Sequence, residues 1–254
     1  MKPAERLVIW FSCGATSAVA ARIALDQYRD SGLEIVIAYC DTGSEHPDNA
    51  RFIADCEHWF GRRIKVLRHP SYSDTWDVWE TRQYIAGIKG APCTLELKKS
   101  VRERFERPDT DLQVFGFDAG EAGRAEKFRR NQPEVRLLTP LIDAGLTKQH
   151  CFLALQEAGI ALPAMYLLGY RNNNCIGCPK GNAGYWNKIR VDFPQVFNRM
   201  AELEREVGAR ICQATIDGVR KRVHLDELPP TAGHYPSEEP ITCGLLCDAE
   251  VRHG

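Results

Sequence analysis

The feature that most constrains the fold is a regular alternation of short apolar runs and amphipathic segments through roughly the first 160 residues. The apolar runs have the length and β-branched composition of buried strands, at residues 7–11, 34–39, 64–67, 112–117 and 135–138. Segments with helical spacing lie between and after them, at residues 17–28, 47–60, 74–85, 94–105, 120–130 and 148–158. The alternation predicts an α/β fold, a Rossmann-like open parallel sheet with helices on both faces, whose ligands bind at the carboxyl ends of the strands.

The first predicted strand leads directly into a loop of small residues, Ser12-Cys13-Gly14-Ala15-Thr16-Ser17, and then into a helix. This arrangement points backbone N–H groups and the positive end of a helix dipole at one spot, which suits an anion. Gly14 allows a close backbone approach, and the hydroxyls of Ser12, Thr16 and Ser17 are donors for phosphate or sulfate oxygens. The loop matches neither G-x-x-x-x-G-K-[ST] nor G-x-G-x-x-G, and a turn of simple topology is the competing interpretation.

Asp41, Thr42 and Gly43 follow the second predicted strand. In a sheet of the usual strand order this stretch lies beside the first loop, where Asp41 could hold a ribose, an adenine or a metal. Asp, Thr and Gly are also ordinary turn residues, so a simple turn before the next helix is the alternative.

The location of the protein in the cell is predicted from two kinds of segment that the sequence lacks, a membrane span and a signal peptide, and from its cysteines. The sequence has no run of 18 apolar residues, and its first residues lack a signal-peptide cleavage region, so we expect a soluble, cytoplasmic protein without membrane contact. The cytosol keeps thiols reduced, so the ten cysteines favour metal binding or sulfur chemistry over a disulfide framework.

The cysteines themselves indicate a candidate metal site. Cys175 and Cys178 form a C-x-x-C turn, which places two sulfurs on one side of a tight turn. Cys93, Cys243 and Cys247 are candidate partners. A structural zinc, an iron–sulfur cluster and a redox dithiol all remain open, although the three asparagines before Cys175 resemble a loop more than the strand that precedes a thioredoxin-like dithiol.

The net charge of −1 argues against a generally basic protein but permits local cationic patches. Two such patches lie at residues 124–130 and 220–222. We interpret them as solvated helix faces in preference to nucleic-acid contacts.

Together these stretches resemble the phosphoadenosine phosphosulfate (PAPS) reductase family of the PP-loop adenine-nucleotide enzymes, over about residues 5 to 200. Five pieces match in order: FSCGATSAV, CDTGSEHPDNARF, PCTLELKKS, the G-x-x-x-x-E-x-x-R of Gly116 to Arg124, and LTPLIDAGLTKQHCFLALQEAGIALPAMYLLGYRNNNCIGCPKG. The resemblance implies an adenine nucleotide as substrate, gripped by the first loop and lined by Asp41 to Gly43. It also implies that Lys98, Arg124 and Arg171 neutralise the anion.

The resemblance further implies a [4Fe–4S] cluster, with zinc as the alternative. Iron–sulfur members of the family use a Cys-Cys pair and a distant C-x-x-C, but Thr94 stands where the second cysteine of the pair is expected. Cys93, Cys175 and Cys178 are then the ligands, and either a tail cysteine, with Cys247 first, supplies the fourth or one iron stays open.

Two enzymatic functions and one binding function follow. In the reductase interpretation Cys243 attacks the sulfur of adenylyl sulfate or PAPS, and a thioredoxin-like reductant releases sulfite. Cys243-Gly244-Leu245 resembles the reductases' catalytic tail only in part, while Thr16 replaces the Asp of ATP-cleaving relatives. The alternative is ATP-dependent, iron–sulfur thiolation of a nucleic acid. A nucleotide-binding module without catalysis is the third.

The domain division is predicted from the loss of regularity near Gly208. Residues 1–208 are expected to form the nucleotide-binding domain, including the C-x-x-C segment, and residues 209–254 an irregular C-terminal extension or lid.

Overall fold

The structure is a computed structural model of the chain. It describes residues 2–87, 90–216 and 218–241. The strands are β1 (Arg6–Trp10), β2 (Glu34–Cys40), β3 (Ile64–Leu67), β4 (Asp111–Phe115), β5 (Arg136–Leu138), β6 (Cys212–Ile216) and β7 (Val219–Val223). The helices are α1 (Ala15–Gln27), α2 (Asn49–Phe60), α3 (Thr75–Arg82), α4 (Pro92–Thr94), α5 (Val101–Phe105), α6 (Ala122–Asn131), α7 (Pro140–Asp143), α8 (Lys148–Glu157), α9 (Ala164–Leu167), α10 (Ala183–Asp192) and α11 (Pro194–Glu206).

The chain divides into two compact units. The first unit contains Met1–Asp41, His46–Arg68 and Val101–Asn173, and the second contains Thr42–Glu45, His69–Ser100 and Asn174–Gly254. The predicted domain boundary between residues 208 and 209 lies within the second unit, and that division stays a prediction.

The first unit is built on a parallel sheet with the strand order β3-β2-β1-β4-β5. In this sheet Ile9 of β1 lies opposite Ile37 of β2 and Val114 of β4, and all three side chains are buried. The predicted open parallel sheet is therefore confirmed, and β1 is central because it is flanked on both sides. Its apolar run without polar alternation is what a strand covered on both faces requires.

Helices cover both faces of this sheet. Leu7 and Ile9 belong to a buried cluster with Ala18 of α1, Phe52 of α2 and Leu155 of α8. On the opposite face, the Trp10 ring meets Phe105 of α5 edge-on, with centroids 6.0 Å apart, and Phe115 contacts Phe128 of α6. Because successive side chains of a strand point to opposite faces, these contacts place α1, α2 and α8 on one face and α5 and α6 on the other.

The segment predicted as one helix over residues 94–105 is divided. A π-helical turn, Leu95–Ser100, separates α4 from α5. Both Glu96 and Lys98 of this turn are buried, each about 8% exposed. π-Helical turns are rare and occur often at functional sites. That PCTLELKKS belongs to a site stays a prediction.

The second unit includes an antiparallel hairpin of β6 and β7 that the sequence analysis did not predict. The missed signal is the dipeptide Asp217-Gly218 between two β-type runs, which is typical of two-residue hairpin loops; Gly218 has a φ of +76°. The interpretation of residues 220–222 as a helix face is wrong, because they lie on β7. The hairpin lies within residues 209–254, so the prediction of an irregular extension is wrong for this part; after β7 only the short 3₁₀ turns Leu225–Glu227 and Tyr235–Ser237 are regular within the described chain.

Across the described ranges, the structure contains no helix with the length and apolar character needed to cross a membrane.

Candidate functional site

The loop between β1 and α1 in the first unit is held in shape by Ser17. The N–H groups of Ser12 and Gly14 both donate to Ser17 Oγ, at 3.0 and 3.3 Å, and Ser17 Oγ in turn donates to the Gly14 carbonyl at 2.9 Å. Ser17 is buried, whereas Ser12 is exposed and Thr16 is half-buried. Of the predicted anion donors, Ser17 thus shapes the loop, and the Ser12 hydroxyl donates to Ser17 Oγ at 3.2 Å.

Cys13 gives the loop its turn. Its backbone has a φ of +56°, in the left-handed region that is uncommon for a residue other than glycine. The side chain is fully buried in the core, with Sγ 3.8 Å from the Asn49 carbonyl. Strain of this kind persists only where the surroundings fix the backbone, and it is often found at ligand-binding loops.

Asn173 and Tyr166, which the sequence analysis did not single out, fasten this loop from the GYRNNN segment and α9. Asn173 Nδ2 donates to the Cys13 carbonyl at 2.6 Å and to Asn49 Oδ1 at 2.7 Å. The Tyr166 hydroxyl is hydrogen-bonded to the backbone of Ala15, and burial raises the pKa of this tyrosine to about 12. A neutral phenol therefore lies at the start of α1.

Gly116, at the start of the G-x-x-x-x-E-x-x-R motif, presses against the same loop. A Cβ at this position would lie 2.7 Å from both Cα and N of Ser17 and 3.0 Å from the Thr16 carbonyl carbon. No side chain fits there, because the obstructing atoms are helix backbone. The spacing of the motif was visible in the sequence, but the surface that Gly116 contacts was not.

The predicted charged residues of the first unit are each engaged. Asp41 pairs with Arg68, whose Nη2 lies 2.7 Å from Asp41 Oδ2. Arg124 pairs with Glu121 and lies over the Phe117 ring at 5.5 Å.

Lys148, the first residue of α8, is a cation that sequence reasoning missed. Its Nζ donates to the Arg171 carbonyl and to Asn172 Oδ1 and lies 5.2 Å from the centre of the Tyr166 ring. Burial lowers the pKa of Lys148, although Glu121 opposes this effect. Lys148 therefore fixes the backbone at the predicted anion ligand Arg171.

In the second unit the C-x-x-C turn is tightly surrounded. Cys175 Sγ lies 3.0 Å from Thr42 Oγ1, and the backbone N–H of Cys178 donates to the Tyr185 hydroxyl at 2.9 Å. Gly177 has a φ of +78°, and a Cβ there would lie 2.6 Å from Val196 Cγ1. Both thiols are at least nine-tenths buried, and burial raises the pKa of Tyr185 well above its ordinary value.

The Asp-Thr-Gly stretch enters this unit after Asp41. Thr42 is 1% exposed, so its hydroxyl is directed at Cys175 and not at solvent. Gly43 has a φ of +65°, and a Cβ there would lie 2.2 Å from the Ser73 carbonyl oxygen, so only glycine fits. Lys98 Nζ lies 3.9 Å from Glu45 Oε1, so this predicted anion ligand already faces a carboxylate.

Cys93 lies in α4 of the same unit and is 7% exposed. Glu96, in the π-helical turn that follows, forms an ion pair with Arg82, and its carboxylate lies 3.7 Å from His69 Nε2. Within residues 2–87, 90–216 and 218–241, no three His, Cys, Asp or Glu side chains converge closely enough to hold a single metal ion. Cys243 and Cys247 lie outside the described residues.

The tail is fastened to the second unit up to the last described residue. The Glu238 carboxylate accepts the N–H groups of Gly184 and Tyr185 at the start of α10, at 2.5 and 2.9 Å. Asn174 Nδ2 donates to the Ile241 carbonyl at 3.1 Å. Ile241 thus lies beside the residue that precedes Cys175.

The structure therefore distributes the predicted site residues between the two units. The first unit contains Ser12, Gly14, Thr16, Ser17, Asp41, Arg124 and Arg171, and the second contains Thr42, Gly43, Cys93, Lys98, Cys175 and Cys178.

No protein-family model matches the chain. The MJ0066 protein of Methanocaldococcus jannaschii, itself described as uncharacterized, is 27% identical over 216 residues, which are 80% of this chain and 42% of that protein. The chain thus spans less than half the length of the curated relative that it matches.

Two solved structures are similar in fold. PAPS reductase from Candida auris, in a phosphate complex, matches with a TM-score of 0.50 and 10% identity over 67% of this chain and 81% of that one. The U34-tRNA thiolase NcsA from Methanococcus maripaludis, with its [4Fe–4S] cluster, matches with a TM-score of 0.47 and 13% identity over 81% of this chain and 68% of that one. The first likeness, together with the five-stranded parallel sheet, shows a PAPS reductase-like PP-loop fold, as the sequence motifs implied.

Proposed function

We propose that this chain is an adenine-nucleotide-binding sulfur-transfer enzyme that reduces adenylyl sulfate or PAPS to sulfite. The observation that carries the proposal is the loop from Ser12 to Ser17. Ser17 fixes its backbone from inside, Ser12 and Thr16 remain accessible, and the loop opens the 13-residue helix α1. A preformed loop at a helix N-terminus binds an anion without a large ordering cost, because its backbone is already fixed and the positive end of the helix dipole lies there.

The nucleotide would occupy this loop with its phosphate or sulfate group. Arg124 and Arg171 are proposed to neutralise the anion, and Asp41 to contact the nucleoside. Thr16 favours a sulfonucleotide over ATP, because Mg²⁺-bound triphosphate requires carboxylate help that this loop lacks.

The proposed reaction has two balanced steps. The Cys243 thiolate attacks the sulfur of the sulfonucleotide, an S–S bond forms, and the S–O bond to the nucleotide phosphate breaks, so that AMP or its 3′-phosphorylated form leaves with the bonding pair. A dithiol protein of the thioredoxin class then attacks Sγ of Cys243, releases sulfite and closes its own disulfide when its second thiol restores Cys243.

The thiol set suits an iron–sulfur cluster. Cys93, Cys175 and Cys178 are buried thiols in one unit, thiolate is the donor that such clusters use, and we propose these three as ligands with Cys247 as the fourth. A bound cluster would supply a fixed local charge and a covalent tie between the two cysteine segments. Tyr185 and Thr42 would orient the C-x-x-C turn through their hydrogen bonds.

The test is anaerobic purification with iron, sulfide and zinc analysis, followed by two parallel assays. One measures sulfite released from adenylyl sulfate or PAPS with a thioredoxin-type reductant, and the other measures AMP or pyrophosphate released from ATP. We expect about four irons per chain and sulfite release. ATP cleavage without sulfite release would refute the reductase proposal.

Three variants test the proposed roles of the individual cysteines. Cys175→Ser is expected to lose the iron, whereas Cys243→Ser keeps the iron and loses sulfite release. Cys151→Ala is the matched control, because Cys151 is a buried thiol of the first unit whose pKa burial raises to about 12. Full iron in Cys175→Ser, or undiminished turnover in Cys243→Ser, would remove that residue from its proposed role.

A second candidate function is ATP-dependent thiolation of a nucleic acid. One observation favours it, namely the exposed cationic strand β7. The ATP assay above separates this function from the reductase, because only thiolation consumes ATP.

A further inference from the structure

The hairpin β6–β7 concentrates positive charge that the proposed reaction does not use. Arg220, Lys221 and Arg222 follow one another on β7, and all three are exposed. Arg210 lies just before β6, and Arg222 Nη1 donates to its carbonyl at 2.9 Å. Among residues 208 to 224 Asp217 is the single acidic residue.

These cations differ from several other arginines on the surface. Arg29 pairs with Asp26, Arg63 with Glu57, and Arg205 with Asp226. For Arg220, Lys221 and Arg222, in contrast, no carboxylate lies within 4.0 Å in the part of the chain that the structure describes. Their charge is therefore available to an external anion.

The hairpin has one buried and one exposed face. Cys212, Ala214 and Val223 are buried, so one side of the ribbon packs on its own unit. The opposite side presents two cross-strand pairs, Gln213 with Arg222 and Thr215 with Arg220. Arg220 and Arg222 share this face because residues two apart on a strand point the same way, about 6.6 Å from each other.

We propose that this face of the hairpin binds the phosphodiester backbone of a nucleic acid. Arginine, glutamine and threonine are side chains that contact phosphate and sugar groups. Arg220 and Arg222, spaced along an extended strand, match the repeated phosphates of a linear polyanion. An anionic lipid surface fits less well, because the exposed side of the two pairs has no apolar side chain to enter a membrane.

The inference is independent of the reaction proposed above, since it concerns binding alone. The test measures fluorescence anisotropy of a short fluorescein-labelled RNA of mixed sequence, with the corresponding single-stranded DNA and a DNA duplex as further arms. The whole chain is titrated over a series of salt concentrations. Binding of any of these probes with a linear fall of log K against log salt is expected, because each phosphate contact releases counterions.

The test variant is Arg220→Ser/Arg222→Ser, which removes both cations of the exposed face. It is expected to reduce affinity by about tenfold and to make the salt slope shallower by about 2, one for each lost phosphate contact. The control, Arg62→Ser/Arg63→Ser, removes the same charge from exposed positions of the first unit and should leave both quantities unchanged.

Two outcomes would overturn the inference. One is a hairpin variant that loses no more affinity than the control. Unchanged affinity and slope would show that the hairpin does not bind the probe, and an equal loss in the control would make the effect one of net charge. The other is binding to phosphatidylserine vesicles with no binding to any nucleic-acid probe. Circular dichroism of both variants confirms that the substitutions leave the fold intact.

Discussion

The hydroxyl oxygen of Thr42 lies 3.0 Å from the sulfur of Cys175, and both side chains are buried. Thr42 Oγ1 also lies 3.4 Å from Glu45 Oε1. Thr42 belongs to the Asp-Thr-Gly stretch, and Cys175 opens the C-x-x-C turn, so two motifs 133 residues apart meet in the second unit.

Replacing Thr42 by valine keeps the side-chain volume but removes the hydroxyl from Cys175. If Cys175 binds a cluster as proposed, we expect iron to be held about 10- to 100-fold more weakly, the usual effect of losing a hydrogen-bond partner of a metal ligand. The measurement is iron content after anaerobic dialysis against a chelator. Thr42→Ser restores the hydroxyl and should retain wild-type iron. Equal iron retention in Thr42→Val and the wild type would show that this contact does not support a cluster.

Gly116→Ala should weaken nucleotide binding without unfolding the chain. The new Cβ would meet the backbone of Ser17 at 2.7 Å, so the start of α1 must move. We expect about a tenfold or greater loss of affinity for adenylyl sulfate by calorimetry, because the start of α1 and its dipole would no longer be positioned for the anion. Gly123→Ala is the matched control, since a Cβ there meets nothing within 4 Å. Its position inside α6 predicts unchanged affinity and slightly higher stability.

Asn173→Ala tests whether the GYRNNN segment holds the anion loop. The change removes the donor to the Cys13 carbonyl and to Asn49, leaving buried acceptors unpaired at a cost of about 1–3 kcal/mol. We expect both lower thermal stability and weaker nucleotide binding. Asn187→Ala is the control, because Asn187 Nδ2 also donates to two acceptors, the carbonyls of Pro229 and Ala232, in the second unit. It should lower stability alone, and an equal affinity loss in both variants would contradict a specific role for Asn173.

Glu204 should make the stability of the chain depend on pH. Its fully buried carboxylate accepts the N–H groups of Ile211 and Leu225 at 2.7 and 2.6 Å, and burial raises its pKa from 4.5 to about 7. The folded state therefore holds a proton that the unfolded state releases between these two values. Stability from this group is greatest below pH 4.5 and is lost as the pH rises to about 7, by up to about 3 kcal/mol.

The measurement is urea unfolding at several pH values from about 5 to about 8, for the wild type and for Glu204→Gln. The variant is less stable throughout, because an amide offers one acceptor oxygen to two N–H donors, but its stability should lack this pH dependence. Parallel pH profiles of the two proteins would show that Glu204 is not the titrating group.

The sequence by itself determined the first unit's architecture. The central strand β1 is an apolar run because it is buried on both faces, and the helices between the strands show in the spacing of apolar residues. The segment over residues 64–67 was predicted with the observed bounds of β3, Ile64–Leu67. The loop after β1 was also predictable, because its small residues must fit a tight turn into α1.

The tertiary structure alone decided which side chains shape the site. Asn173 lies 160 residues from Cys13, and Gly116 lies 99 residues beyond Ser17, and neither contact has a local signature in the sequence. The same holds for Thr42 against Cys175. Local patterns report the neighbours of a residue along the chain, whereas close packing between distant segments depends on how all the elements fill space together, which fixes each contact only in the folded protein.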